Sequence, residues 1–118
     1  MTWIYQQYSG EIYHDTKLIG HGWSGQGIHK NNPASEGIKS LGPIPRGYYK
    51  ITGENNSKGP MTIILAPCSC NDMHGRSAFR IHSASRKDPQ HSSEGCIILN
   101  RDIRREILLS HNTDLVVE

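Results

Sequence analysis

His82 closes one apolar run, Ala78-Phe79-Arg80-Ile81-His82, and Cys96 opens another, Cys96-Ile97-Ile98-Leu99, fourteen residues further on. A cysteine becomes a useful nucleophile when a neighbouring base takes its proton or a neighbouring cation holds its thiolate, and a histidine serves in either role. Unassisted, a thiol with a pKa of roughly 8.5 is mostly protonated at neutral pH. Together the two residue types point to acyl transfer through a thioester. Gly95, just ahead of the thiol, has no Cβ to obstruct a substrate approaching the backbone. The main-chain N–H groups of Gly95 and Cys96 are candidate donors to the oxyanion that such an attack creates.

Both residues need strands to hold them. Side chains alternate between faces along a strand, so Phe79 and Ile81 share one face while Arg80 and His82 share the other. The polar stretch Ser83 to Glu94 lacks apolar periodicity and reads as a loop, long enough to let the flanking strands pair and bring His82 to Cys96. His91, within that loop, reads as solvated. Further strands are expected at Trp3 to Tyr8 and Glu11 to Tyr13, a hairpin about Ser9-Gly10, and at Lys17 to Ile19. Tyr48 to Thr52, Met61 to Leu65 and Leu115 to Val117 complete the set. Gly20 to Lys30 is too rich in glycine for a regular element and reads as a loop packed by Trp23, and Ala34 to Ser40 gives a short helical turn at most. One helix is expected, from Arg101 to about Ser110 behind an Asn100 cap, with Ile103, Ile107 and Leu108 inward and the charges of Arg101 to Glu106 in water. The expected fold is mainly β with one helix, a single domain over residues 1–118.

Thirteen Lys and Arg against eleven Asp and Glu leave a net charge of +2, which gives no support to an electrostatic nucleic-acid binder. No segment approaches the length of a membrane span, and the first fifteen residues lack the pattern of an export signal. Three cysteines cannot all pair within one chain. Cys68 and Cys70 are separated by one residue, a poor geometry for bridging in extended chain. With His74 they also suggest zinc, but the spacing is tighter than the usual ligand gap, and no metal or other cofactor is expected.

Ile81-His82-Ser83 and Ser93-Glu94-Gly95-Cys96 resemble the histidine strand and the Ser/Thr-His-Gly-Cys box of the L,D-transpeptidases, the YkuD-type fold, with three of four box positions matching. Gly20 to Pro33, Gly42-Pro43-Ile44-Pro45-Arg46-Gly47-Tyr48-Tyr49 and Gly75-Arg76-Ser77 resemble one branch, the small L,D-transpeptidase-like effectors of type VI secretion, toxins injected into rival bacteria. The resemblance spans roughly residues 3 to 105 and implies a β-sandwich or barrel of that type. It makes Cys96 the nucleophile and His82 the base, with Ser83 orienting the imidazole through its carbonyl. Glu94 stands where the box has histidine, Ile98 stands where many members have Asn or Arg, and the gap from His82 to Cys96 is shorter than in the secreted enzymes.

What the resemblance implies is a peptidoglycan tetrapeptide stem as donor, attacked at the bond between diaminopimelate and the terminal D-alanine. His82 would hold the thiolate as an ion pair and then protonate the departing amine. Water then gives L,D-carboxypeptidase activity, a free D-amino acid gives exchange, and another stem gives a cross-link; the short loop favours the first two. The carboxylates of such a substrate need cations, and Arg76, Arg80 and Arg101 are candidates, with Ser93 beside them. Delivery by the secretion machinery, action in the target cell's periplasm and a cognate immunity protein are implied as well. Competing readings are another cysteine peptidase or amidase of the wall, a zinc or redox module on Cys68, Cys70 and His74, and a non-catalytic wall-binding domain. The usual wall-cleaving cysteine peptidases place Cys on a helix ahead of His, the reverse of the order here.

Overall fold

The computed structural model describes residues 1–118. Nine strands form one sheet: β1 (Trp3–Tyr5), β2 (Glu11–His14), β3 (Lys17–His21), β4 (Trp23–Ser24), β5 (Gly47–Asn55), β6 (Thr62–Pro67), β7 (Arg80–His82), β8 (Ile97–Ile98) and β9 (Asp114–Val117). Their order across the sheet is β3-β2-β1-β9-β5-β6-β7-β8-β4. The two edge strands, β3 and β4, are separated in the chain by Gly22 alone, so the sheet curls until its edges nearly meet as a barrel. Gly22 is required there. Its N–H donates to Gly10 O at 2.8 Å, and a Cβ would lie 1.7 Å from Ile98 O.

Trp3, Tyr5, Ile12, Ile63, Ile81, Ile97, Leu115 and Val117 fill the interior, each 2 % exposed or less. Burial of such side chains is the main driving force for closing the sheet. The helix α1 (Arg101–Ser110) follows β8 directly; Asn100 caps it by accepting from Ile103 N at 2.9 Å. Ile103 and Ile107 turn inward, and Ile103 packs where a side chain at Gly20 would be, 2.6 Å from the position of a Cβ. The helix does not keep all its charges in water, however. Arg104 is 3 % exposed, its guanidinium donating to Leu99 O, Pro60 O and Met61 O.

Two other expectations change. Trp23 belongs to β4, paired with β8, rather than to a loop. Its neighbour Ser24 is fully buried and ties Ile44 N and Gly95 O together at 2.8 Å each. Cys68 and Cys70 are joined to each other by a disulfide. The chain is not extended there: β6 ends at Pro67, Asn71 N turns back to Cys68 O, and the two Cα atoms come within 5.1 Å. That separation lies inside the range of about 4.4–6.8 Å that a disulfide accepts.

Candidate active site

Strands β7 and β8 pair in parallel, with Ile81 opposite Ile97 and His82 opposite Ile98. Parallel neighbours need a long crossover, which Ser83 to Cys96 supplies. The register puts Arg80 level with Cys96 and leaves Cys96 and His82 one diagonal apart on the same face. Ile81 and Ile97 point the other way, into the barrel core. His82 and Cys96 therefore open on the outer face, where both line a cavity of about 490 Å³. His82 is 5 % exposed and Cys96 9 %.

His82 Nδ1 lies 2.8 Å from Ser83 O, and only a protonated Nδ1 can bond to a carbonyl. That tautomer leaves the Nε2 lone pair free to accept a proton. Burial pushes the His82 pKa below its ordinary value, helped by the charges of Lys58, Arg104 and Arg80 and opposed by the Ser83 carbonyl. Burial likewise pushes the Cys96 thiol up, against the main-chain N–H and charge of Arg80 and the charge of Lys58. Both groups accordingly rest neutral at neutral pH. These directions favour a thiol beside a neutral base over the expected thiolate–imidazolium pair.

The segment just before the thiol is held by its backbone. Ser93 is fully buried, its Oγ accepting from Gly25 N at 2.8 Å and Gly95 N at 3.2 Å and donating to Cys96 O. It faces no substrate space, so its expected place among substrate-binding residues is corrected. Gly95 adopts φ +128°, a conformation that side chains rarely take. A Cβ there would sit 2.3 Å from Arg76 Nη2 and 2.9 Å from Phe79 Cε1, so the space belongs to the protein rather than to an incoming substrate. With Gly95 N–H given to Ser93, the oxyanion donor left from the expected pair is Cys96 N–H, which bonds to nothing in the fold.

The arginines separate. Arg76 is 7 % exposed, and four carbonyls hold its guanidinium: Glu36 O at 2.6 Å, Pro43 O at 2.7 Å, Gly42 O at 3.0 Å and Glu94 O at 3.2 Å. It lines the thiol's cavity, but both its terminal nitrogens are spent on binding loops together. Arg80 lines the thiol's cavity, gives one weak bond to Ala78 O at 3.3 Å, and carries a buried Nε with no partner. Arg101 is not in this cavity at all; it lines a second one beyond Ser83. Lys39 and Lys58, which drew no notice in the sequence because they sit in polar loops, line the first cavity with Arg80, and Glu94 is its single acidic residue. A cavity of that sign suits an anionic ligand. His91 also reaches the cavity's rim, its Nδ1 2.8 Å from the Asp88 carboxylate.

The zinc reading of the CxC segment loses its ligands. Cys68 and Cys70 are bonded to each other, and His74 Nε2 pairs with Glu36 at 3.1 Å. That carboxyl is nudged up by burial but held down to about 2 by bonds from Arg46, Gln7 and His74.

A family model described as the Tlde1 domain matches residues 19–117, which take in part of β3, every element from β4 to β9 and both residues of the candidate pair. The chain belongs to the Tlde1 domain family. This is a domain of type VI secretion effectors. Neither a curated protein nor a solved structure matches the chain. No helix of this Tlde1 domain is long and apolar enough to cross a membrane.

Proposed function

We propose that this Tlde1 domain is an L,D-transpeptidase-like cysteine enzyme, acting on the tetrapeptide stems of peptidoglycan as an L,D-carboxypeptidase and exchanging their terminal D-amino acid. The observation that carries this reading is the β7–β8 register, which sets Cys96 and a correctly tautomerised His82 on one face of one cationic cavity. Membership of an effector family and the resemblance of the Ser93 to Cys96 box support it.

In the first half-reaction the Cys96 Sγ–H proton passes to His82 Nε2 as sulfur attacks the carbonyl carbon between diaminopimelate and D-alanine. The oxyanion that forms takes the free Cys96 N–H. The imidazolium then gives its proton to the leaving amine, the C–N bond breaks, and D-alanine departs from a thioester. In the second, neutral His82 takes a proton from water or from the amine of a D-amino acid as it attacks the thioester; the C–S bond breaks, and the imidazolium gives the proton to sulfur, restoring the thiol. Arg80, Lys58 and Lys39 hold the donor's carboxylates. Ser83 acts through its carbonyl alone, as a positioning residue.

Trimming or exchange of donor stems would starve a growing wall, which fits an antibacterial toxin delivered by type VI machinery and matched by an immunity protein. Action in the target's periplasm agrees with the Cys68–Cys70 bridge, since disulfides persist in oxidising compartments. The deciding experiment is mass spectrometry of tetrapeptide muropeptides incubated with wild type, Cys96→Ala and His82→Gln. Loss of one D-alanine, or its replacement by an added D-amino acid, should occur with wild type only. Turnover by Cys96→Ala within about tenfold of wild type, a difference of only about 1.4 kcal/mol, would remove the nucleophile from the reading.

A further inference from the structure

The face of β7 and β8 that carries the thiol runs on into a second cavity of about 540 Å³, lined among others by His21, Ser83, Arg86, Ile98, Arg101 and Arg104. Two loops stand between the cavities. Lys58 and Ser85 face the first, while Pro60, Ser83 and Arg86 face the second. Strand β8 leads from one to the other: Cys96 lines the first cavity and Leu99 the second, their α-carbons about 10 Å apart at a rise of about 3.3 Å per residue.

This second cavity is cationic without compensation. Arg104 spends Nε on Leu99 O at 3.1 Å and Nη1 on Pro60 O at 2.7 Å and Met61 O at 2.9 Å. Nη2 has no partner in the fold and keeps some exposure toward the cavity, on a residue that is only 3 % exposed. Arg101 lies three residues earlier on α1, on the adjoining face, and neither its side chain nor that of Arg86 makes a hydrogen bond or ion pair. The carboxylates that pair at all in this molecule pair with Arg46, Lys50, His74 and His91. Burial and then the neighbouring Arg101 charge both press against the charged form of Arg104. A guanidinium kept ionised in such a place, with an N–H left over, is arranged to receive an oxyanion.

We infer that the second cavity is a carboxylate subsite, in which Arg104 Nη2 and the Arg101 guanidinium grip a carboxylate that the substrate peptide carries beyond the carbonyl presented to Cys96. The subsite deepens the proposed reaction and rests on it for the identity of the peptide. The two cavities adjoin along the face that carries the thiol, so the occupant is a side-chain or branch carboxylate of the donor chain itself. Engagement at both ends fixes the chain's direction past the thiol. It also makes the enzyme selective for stems whose internal carboxylate is free rather than amidated.

The test is calorimetric and uses Cys96→Ala protein, so that it needs no turnover. Two synthetic tetrapeptides are titrated, one with a free carboxylate on its second residue and one amidated there. The amidated peptide should bind at least tenfold more weakly. Arg101→Gln, at an exposed position, should bind both alike and close to the weaker value. Arg104→Gln should do the same if it folds, and Arg101→Gln decides the matter if it does not. A difference of less than twofold between the peptides, or discrimination that survives Arg101→Gln, overturns the subsite. Inorganic phosphate binding in an Arg101-dependent way, without discrimination between the peptides, overturns the peptide as occupant. Discrimination in Cys96→Ala protein upholds the subsite even where muropeptide cleavage proves independent of the thiol, so the two readings fail separately.

Discussion

Arg76 and Arg80 lie four residues apart on the rim of one cavity, and the structure assigns them opposite consequences. Replacing Arg76 by methionine keeps much of the side-chain volume but leaves four carbonyls, of Glu36, Gly42, Pro43 and Glu94, without their donor. A hydrogen bond to a charged group contributes about 1.5–3 kcal/mol, and losing one partner of a buried polar cluster costs about 3–5 kcal/mol. For a domain of this size, each kcal/mol moves Tm by about 3–5 °C. Arg76→Met should therefore lower Tm by about 10–20 °C by differential scanning fluorimetry. Replacing Arg80 removes one weak bond to Ala78 O and a buried Nε that has no partner, so Tm should stay within about 3 °C. Its cost should appear in kcat/KM, where the lost charge-assisted contact to a substrate carboxylate amounts to about ten- to a hundredfold. Purified muropeptide turnover and melting, measured on both variants, check the pair together. An Arg76→Met protein that melts within 3 °C of wild type but binds stems poorly would refute the assignment. So would an Arg80→Met protein that is unstable and fully active.

Alkylation by iodoacetamide should be slow at pH 7 and should keep rising well into alkaline pH, because burial holds the Cys96 thiol above its ordinary value. A plateau from pH 5 to 8 would mean a resting ion pair. Turnover, which needs neutral His82, should rise with pH through a pKa below 6.5 and then hold level; a rise centred above pH 7 would contradict the lowered imidazole. Ser93→Ala should cost about 2–4 kcal/mol in urea unfolding, since it strands two N–H groups and a carbonyl in a site with no water access, while a loss below 1 kcal/mol would show the loop able to rearrange. Cys68→Ser with Cys70→Ser should cost only about 1.5 kcal/mol, because so short a loop has little entropy to restrict. Turnover should be within twofold of wild type; a large loss would tie the bridge to the site.

The pair of catalytic candidates was legible because strand periodicity and a nucleophile–base combination leave few arrangements. The parity that put Arg80 and His82 on one face is the parity in the structure, and the Asn100 cap and α1 follow from the same local rules. Residues whose roles depend on what lies across the fold were not legible. Arg104 reads as part of a wet helix face, since nothing local announces that the Pro60 and Met61 carbonyls come to meet it. Arg76 reads as a free cation for the same reason: three of its acceptors, Glu36 O, Gly42 O and Pro43 O, come from two segments remote in the chain, and the fourth, Glu94 O, lies eighteen residues away. Burial of the Cys96 thiol and the His82 ring, which pushes the one up and the other down, depends on what packs over them and so has no local signal in the sequence.

The same distinction explains why Glu94 can stand where the resembling box has histidine. Position 94 contributes its carbonyl, which accepts from Arg76 Nη2, while its side chain is exposed at the cavity wall. The two residues around it have no such freedom. Ser93 supplies one oxygen that joins three main-chain groups, a task that needs a short side chain with both a donor and an acceptor. Gly95 must take φ +128° with an arginine against its α-carbon. Ser-x-Gly-Cys is thus a backbone device that presents the thiol and leaves the Cys96 N–H unspent, and the variable position within it is the one whose side chain the device does not use. Glu94→His should on that argument leave Tm within about 2 °C. It should alter activity only through the cavity's charge, visible as a change in KM whose size falls as ionic strength rises. A drop in kcat at unchanged KM would place the position 94 side chain in the chemistry itself.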